Sequence, residues 1–533
     1  MVHENIRYSG ILMHITSLPG KYGIGTLGDE AYRFADDLHK TGATIWQMLP
    51  FGPTGYGNSP YAPRSSFAGN ELFINLEYLV EDGLLEEEDL LEAPEFKEDK
   101  VEFDSLIAWK LPLLKKAAAS FMETCSKNRE YRAFKKASSY WLEDYAMFMV
   151  LYEKYQDARW HTLWEDKYRR RQKTAMAKLK KEHKAEIETW MVLQFLFDRQ
   201  WSKLRSYCNG LGIKIVGDIP IFVGADSADT WSHIELFKTD SSGRYSAQAG
   251  VPPDGFSATG QLWGNPIYDW KKHEETGFEW WIERMRRVNQ LCDIVRIDHF
   301  RGLDAYYEIK ASAKTAEVGK WTKSPGKKLF NAIKASLGDV NIIAEDLGLM
   351  TPSVEKLRDG FGFPGMKIAQ FGFTRDEYGN WNPYDTFLPH NYTEPFVAYT
   401  GTHDNETTRG WFSNLSDEDK HAVREYLWSS DEEIVWNMIR SVMFSHARYA
   451  IFPMQDILEK GNEARMNCPS TCNDFNWSWK MKEGEFSDER ISRFAHMVRV
   501  SGRNGLSWQQ FEEIEKKKAE ERKALEEESE IDE

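Results

Sequence analysis

Apolar positions along this chain fall into short, unbroken runs, and each run ends in polar or small residues. Eight of them read "SGILMHITSL", "ATIWQMLPFGP", "IKIVGDIPIFV", "DIVRIDHF", "NIIAEDLG", "MKIAQFGF", "FVAYTGTHDN" and "YAIFPMQDIL". A run without polar alternation fits a strand buried on both faces, which means a parallel strand covered by helices. Between several runs the apolar spacing changes to helical, as in "DEAYRFADDLHKTG" and "KKLFNAIKASLG", and each of these segments stops at a Gly. Eight strands alternating with helices predict an α/β fold, a (β/α)8 TIM barrel in preference to an open sheet.

The connection after the second strand is too long for a barrel loop. From about residue 80 to 205 its pattern is mostly helical, with "SLIAWKLPLLKKAAASFME" and "AMAKLKKEHKAEIETWMVLQFLFDRQWSKLRSYCNGLG" the clearest stretches. We read it as a helical insertion subdomain within a catalytic barrel covering residues 1–510. Residues 511–533 are charged almost throughout and read as a tail, an exposed helix fraying into disorder.

Composition narrows the function. The 533 residues are 41% hydrophobic and 29% charged, as expected of a folded enzyme. Aromatics reach 14%, with 20 Trp, which leaves rings to spare for flat apolar ligand faces such as those of sugars. A net charge of −16 argues against nucleic acid, where basic patches supply the affinity. The N-terminal "MVHENIRYSG" has no signal-peptide pattern, and no apolar run is long enough for a membrane span. Five scattered Cys do not make a disulfide framework. Cys468 and Cys472 bracket "CPSTC", but no second Cys pair or nearby His completes a zinc site. The expectation is a cytoplasmic protein with no membrane partner and no metal.

In such barrels the chemistry collects at the C-terminal strand ends. Asp218 ends the third run, Arg296 and Asp298 the fourth, Glu345 and Asp346 the fifth, and His403 and Asp404 follow the seventh. A single Asp in such a place is commonly a helix cap. Acids at four strand ends, with an Arg among them, repel one another and lose hydration, so capping does not account for the set. Phosphoryl transfer would want a Gly-rich phosphate loop, and none is present. A divalent metal bound by carboxylates would suit a barrel hydrolase. Glycoside transfer needs two carboxyls in opposite protonation states. Arg296, two residues from Asp298 and so on the same side of a strand, would hold that carboxylate ionised, while a drier Glu345 keeps its proton.

With these segments in view, the chain is similar to the 4-α-glucanotransferases called amylomaltases or disproportionating enzymes, glycoside hydrolase family 77 of the α-amylase clan. The resemblance runs from "GILMHITSLPGKYGIGTLG" to "NWSWKM" and is carried by "WQMLPFGPTGYGNSPYAPRSSFAGN", "VGDIPIFVGADSADTW", "AGVPPDGFSATGQLWGNPIYDW", "VRIDHFRG", "IIAEDLG" and "TGTHDNETTRGW" in that order. It implies retaining transfer of α-1,4-glucan segments between maltooligosaccharides through a covalent glucosyl-enzyme, with no cofactor, by a monomer or homodimer. Asp298 matches the nucleophile, Glu345 the general acid/base and Asp404 the third carboxylate, which distorts the bound ring. Arg296, His403 and Asp218 match residues around the cleaved bond. Tyr61 matches a ring that stacks on the sugar, and Gln261 and Trp263 match the loop over the cleft. Tyr56 resembles a ring of a second glucan groove, and Asn467 an Asn near the sugar. One departure stands out: Pro469-Ser470 replaces the family's common Pro-Gly. "SAQAGVPPDGFSATGQLWGNP", with its Gly and Pro residues and Trp263, reads as a lid. A glucan hydrolase and a non-catalytic glucan-binding barrel are the alternatives.

Overall fold

The computed structural model describes residues 6–531 except 125–126, 241–242, 254–256 and 377. All eight apolar runs are strands of one parallel sheet: β1 (Tyr8–Leu12), β2 (Ile45–Gln47), β3 (Lys214–Pro220), β4 (Ile294–Asp298), β5 (Ile342–Ala344), β6 (Gly365–Ile368), β7 (Phe396–Tyr399) and β8 (Tyr449–Pro453). Their order is β6-β7-β8-β1-β2-β3-β4-β5. Among the described residues one backbone hydrogen bond welds the two ends, from Ala344 N–H to Pro364 O at 2.9 Å. The ring is thereby a (β/α)8 barrel.

Its interior is a packed layer of side chains. Leu12, Ile45, Val216, Ile294, Ile343, Met366, Val397 and Ile451, one from each strand, are buried together. This is how small barrels fill, and it leaves the strand ends as the place for a cleft. The helical patterns also form as expected: Asp29–Lys40 and Gly326–Leu337, followed by Gly42 and Gly338 with φ of 75° and 78°.

Between β2 and β3 lie the helices Leu76–Glu81, Phe103–Thr124, Arg129–Ala137, Leu142–Tyr155, Lys173–Glu182 and Lys184–Gly210, with shorter turns between them. Two glutamines of the last helix hold the loop after β2. The Gln194 amide bonds both N–H and C=O of Gly69 (each 2.8 Å), and the Gln200 amide does the same at Asn75 (2.8 and 3.1 Å). Each amide stands in for a missing strand neighbour, so the buried backbone is satisfied. The close approach requires Gly69, since a Cβ there would overlap the Phe197 ring. The helix Trp508–Ile531 follows the barrel, and Trp508 at its start is exposed.

One element is absent from the sequence reading. Ala247–Val251, Gln261–Pro266, Ala305–Lys310 and Gly319–Lys323 form a separate antiparallel sheet, with Gln261–Pro266 at one edge and Gly319–Lys323 at the other. The segment read as a lid thus supplies two of its strands, and residues 254–256 of that segment lie outside the described residues.

Candidate active site

Strand register builds the acidic rim. β3 and β4 pair so that Asp218 sits beside Arg296 and Pro220 beside Asp298. Arg296, nearly buried, joins two carboxylates: its Nη1 donates to Asp218 Oδ2 at 2.6 Å and its Nη2 to Asp298 Oδ1 at 3.0 Å. Tyr61, from the loop after β2, donates its hydroxyl to the same Asp218 oxygen at 2.8 Å. Its ring stacks on His403, with centroids 4.9 Å apart and planes 15° from parallel.

His403 leads to the next carboxylate. Its Nε2 lies 3.4 Å from Asp404 Oδ2, and Asn467 Nδ2 donates to Asp404 Oδ1 at 2.6 Å. Asn467 N–H also bonds His403 O at 3.0 Å. The Asn467 loop keeps its turn without glycine. Ser470 has φ of 64°, in the left-handed region where non-glycine residues are uncommon. The Asn476 side chain compensates by bonding Cys468 N–H at 3.1 Å and Thr471 O at 3.0 Å.

Glu345 closes the constellation from β5. Its Oε2 accepts the His299 N–H at 2.7 Å and its Oε1 the Leu347 N–H at 2.9 Å. His299 directly follows Asp298, so this bond ties the Glu345 carboxyl to the end of β4. Trp263 meets the His299 ring edge-on at 4.8 Å and donates its indole N–H to Gln261 Oε1 at 3.1 Å. Tyr61, Asp218, Arg296, Asp298, His403, Asp404 and Asn467 therefore form one hydrogen-bonded and stacked chain. Glu345, Gln261 and Trp263 join it through His299. Tyr56 stands apart: it is 82% exposed, with its hydroxyl at the Cys472 thiol.

The carboxyls differ in charge state. Burial raises the Glu345 pKa most, and the Asp298 charge adds to it, so the group reaches about 8 in spite of Arg296 and the two backbone donors. Burial is also the largest influence on Asp298. Asp218 and Asp404 push the same way, and together they outweigh Arg296 and His403 to bring it to about 6. Arg296 thus favours the ionised Asp298, as its place two residues away implies, but lost hydration is the larger influence. Asp404 goes the other way. Burial opposes its ionisation, but His403, the Asn467 hydrogen bond and Arg296 hold it below the usual carboxylate range.

Asp346 points away from the cleft, accepting Met366 N–H at 2.7 Å and pairing with Arg358. His390 bonds Tyr426 and Pro383 O away from the rim. His14 is buried edge-on to Phe73, and desolvation lowers its pKa to about 3. Sequence reasoning missed Arg465, whose Nη2 donates to Asp404 O and Nε to Asn467 O, both at 2.8 Å, joining the two loops. It also missed Trp477, with ring centroids 5.7 Å from Tyr61 and 5.9 Å from His403. Arg465 and Trp477 lie in loops where spacing carries no signal, although "ARMNCPSTCNDFNWSW" contains both.

A closed barrel whose rim gathers carboxyls, an arginine and stacking rings defines the class of barrel enzymes that work on glycosides. Comparison with known proteins makes this specific. A family model described as 4-alpha-glucanotransferase matches residues 13–486. A 4-alpha-glucanotransferase of Thermus thermophilus is 46% identical over 507 residues, covering 93% of this chain and 99% of the relative. One from Solanum tuberosum, chloroplastic/amyloplastic, is 43% identical over 485 residues, covering 89% and 82%. The solved structure of an amylomaltase from Streptococcus agalactiae in complex with acarbose matches with a TM-score of 0.89 at 40% identity, across 93% of this chain and 99% of that one. The chain belongs to the 4-alpha-glucanotransferase family, glycoside hydrolase family 77.

Proposed function

We propose that this rim performs retaining transfer of α-1,4-glucan segments, with Asp298 as nucleophile, Glu345 as general acid/base and Asp404 as the carboxylate that holds the sugar hydroxyls. Asp298 attacks the anomeric carbon while Glu345 gives its proton to the departing glycosidic oxygen. Glu345, now ionised, takes the proton of an incoming 4-hydroxyl, and the bond reforms with retained configuration. The observation that carries the reading is the His299 N–H bond to Glu345. It brings the acid to the residue next to Asp298, as a two-carboxyl displacement on one anomeric centre requires. The pKa order supports the same division, since between about 6 and about 8 Asp298 is ionised and Glu345 protonated.

Charge alone does not choose the nucleophile, because Asp404 is the most readily ionised of the three. Position supports Asp298: it is bridged by Arg296 to Asp218 and adjoins Glu345, whereas Asp404 is gripped by Asn467 and His403. Tyr61 and Trp263 supply faces for sugar rings, and Asp218, Arg296, His403, Asn467 and Gln261 its polar contacts. Tyr56 offers an exposed ring to a longer glucan. The amylomaltase solved with acarbose supports an α-glucoside in the cleft. We place the reaction in the cytoplasm, in keeping with the free thiols of Cys208, Cys292, Cys468 and Cys472.

Incubation with maltotriose tests the reading. Transfer yields free glucose together with longer maltodextrins. Glucose and maltose without longer products would convert the assignment to hydrolysis, and no products at all would leave a binding barrel.

A further inference from the structure

The antiparallel sheet grips the turn behind Asp298 from both of its edges. At one edge Trp263 meets the His299 ring, with centroids 4.8 Å apart. At the other, the Trp321 ring centroid lies 3.8 Å from the guanidinium carbon of Arg301. Arg301 is only 8% exposed, and its Nε and Nη1 have no hydrogen-bond partner among the described residues. A buried guanidinium is ordinarily fixed by carboxylates or carbonyls. Here the Trp321 ring lies over it, and the nearby Asp304 is the carboxylate whose charge acts on it.

Between these two contacts His299 holds φ of 53°, a conformation strained for a non-glycine residue that persists only when its surroundings impose it. The outcome is useful: the His299 N–H reaches Glu345 Oε2. If the turn relaxed toward ordinary backbone angles, that N–H would rotate off the carboxyl.

We propose that Arg301 and Trp321 are positioning residues for the transfer reaction, their stack clamping the turn Phe300–Leu303 so that the His299 N–H stays on the Glu345 carboxyl. The proposal rests on Glu345 being the acid/base. The other charges acting on Glu345 are Asp298 and Arg296 on β4, and Leu347 N–H is its second donor. A backbone N–H favours the ionised carboxyl, so losing the His299 bond leaves the Glu345 proton harder to remove. The alkaline limb of the rate profile then moves to higher pH.

Trp321→Ala tests this, since Trp321 is 39% exposed on an edge strand and its removal opens no deep cavity. With maltotriose, kcat falls about tenfold, KM stays within about twofold, and the alkaline limb shifts upward. Trp321→Phe keeps a ring over the guanidinium and restores most of the rate. Arg301→Lys, measured as a second variant, moves the limb the same way. Glu345→Gln serves as the control. An alkaline limb that persists in Glu345→Gln does not belong to Glu345, and the acid/base reading fails. A limb that vanishes in Glu345→Gln but keeps its normal place in Trp321→Ala and Arg301→Lys overturns the clamp, whatever happens to kcat.

Discussion

The two walls of the acidic rim hold their carboxyls by different means. On the β4–β5 wall, Glu345 takes both of its hydrogen bonds from main-chain N–H groups, and the strongest charge acting on it is another carboxylate. On the β7 wall, Asp404 is met by the side chains of Asn467 and His403. Both groups lose hydration, yet one is pushed up to about 8 and the other held below the usual range. Burial therefore does not decide protonation by itself. The company a carboxyl keeps decides it, and a single rim holds a protonated carboxyl and a fixed anion.

Asp298→Ala breaks the contrast most severely. Without the proposed nucleophile, maltotriose disproportionation should fall by about 10⁴-fold or more while circular dichroism stays unchanged. A rate within tenfold of normal would take Asp298 out of the mechanism.

Glu345→Gln comes next, with a loss of about 10²–10⁴-fold in kcat/KM. In the proposed roles Glu345 acts protonated, so activity should be present below about 8 and lost as pH rises through that value. Asp298 in its proposed role acts ionised, so activity should be lost as pH falls through about 6. The normal profile is a bell between the two, and the variant lacks the alkaline side. Stability carries the same signature. The folded protein binds the Glu345 proton more tightly than the unfolded chain, whose group titrates near 4.5, so this group costs stability increasingly as pH rises from 4.5 toward 8. Glu345→Gln removes that cost, and its Tm relative to the parent should be higher at pH 8 than at pH 5.

Asp404→Asn probes the opposite wall. Losing charge-assisted bonds to a sugar should cost about 1.5–3 kcal/mol, roughly 10–100-fold in kcat/KM. The acid limb should move to lower pH, because the Asp404 charge no longer pushes Asp298 up. An unmoved limb would separate the two walls electrostatically. The smallest effect belongs to Ser470→Gly. Relief of a left-handed serine, offset by the freer unfolded chain, should raise stability by less than about 1 kcal/mol with activity intact.

The barrel was legible because its strands are buried on both faces, so each wrote an unbroken apolar run. The acids were legible because strand ends mark the rim. The antiparallel sheet was not. "GKWTK" is an exposed edge and "QLWGNP" is half-buried, so neither carries the burial pattern that reveals a strand. The direction of the Asp298 shift also lay beyond spacing: Arg296 two residues away is visible in the chain, but Asp404 and the depth of burial come only with the fold. The His299 N–H has no signature at all, since every residue but proline owns one and only the turn aims it.

The backbone weld between Ala344 and Pro364 sits one residue before Glu345, with the Asp346 carboxylate bonding Met366 N–H beside it. A hoop with a thin seam springs there first. The Ala344 amide should be among the earliest of the eight staves to take up deuterium, and on warming, the wall that lends the proton should loosen before the helices melt. Catalysis would then fade at a lower temperature than the far-ultraviolet signal, making this small joint the fuse of the machine.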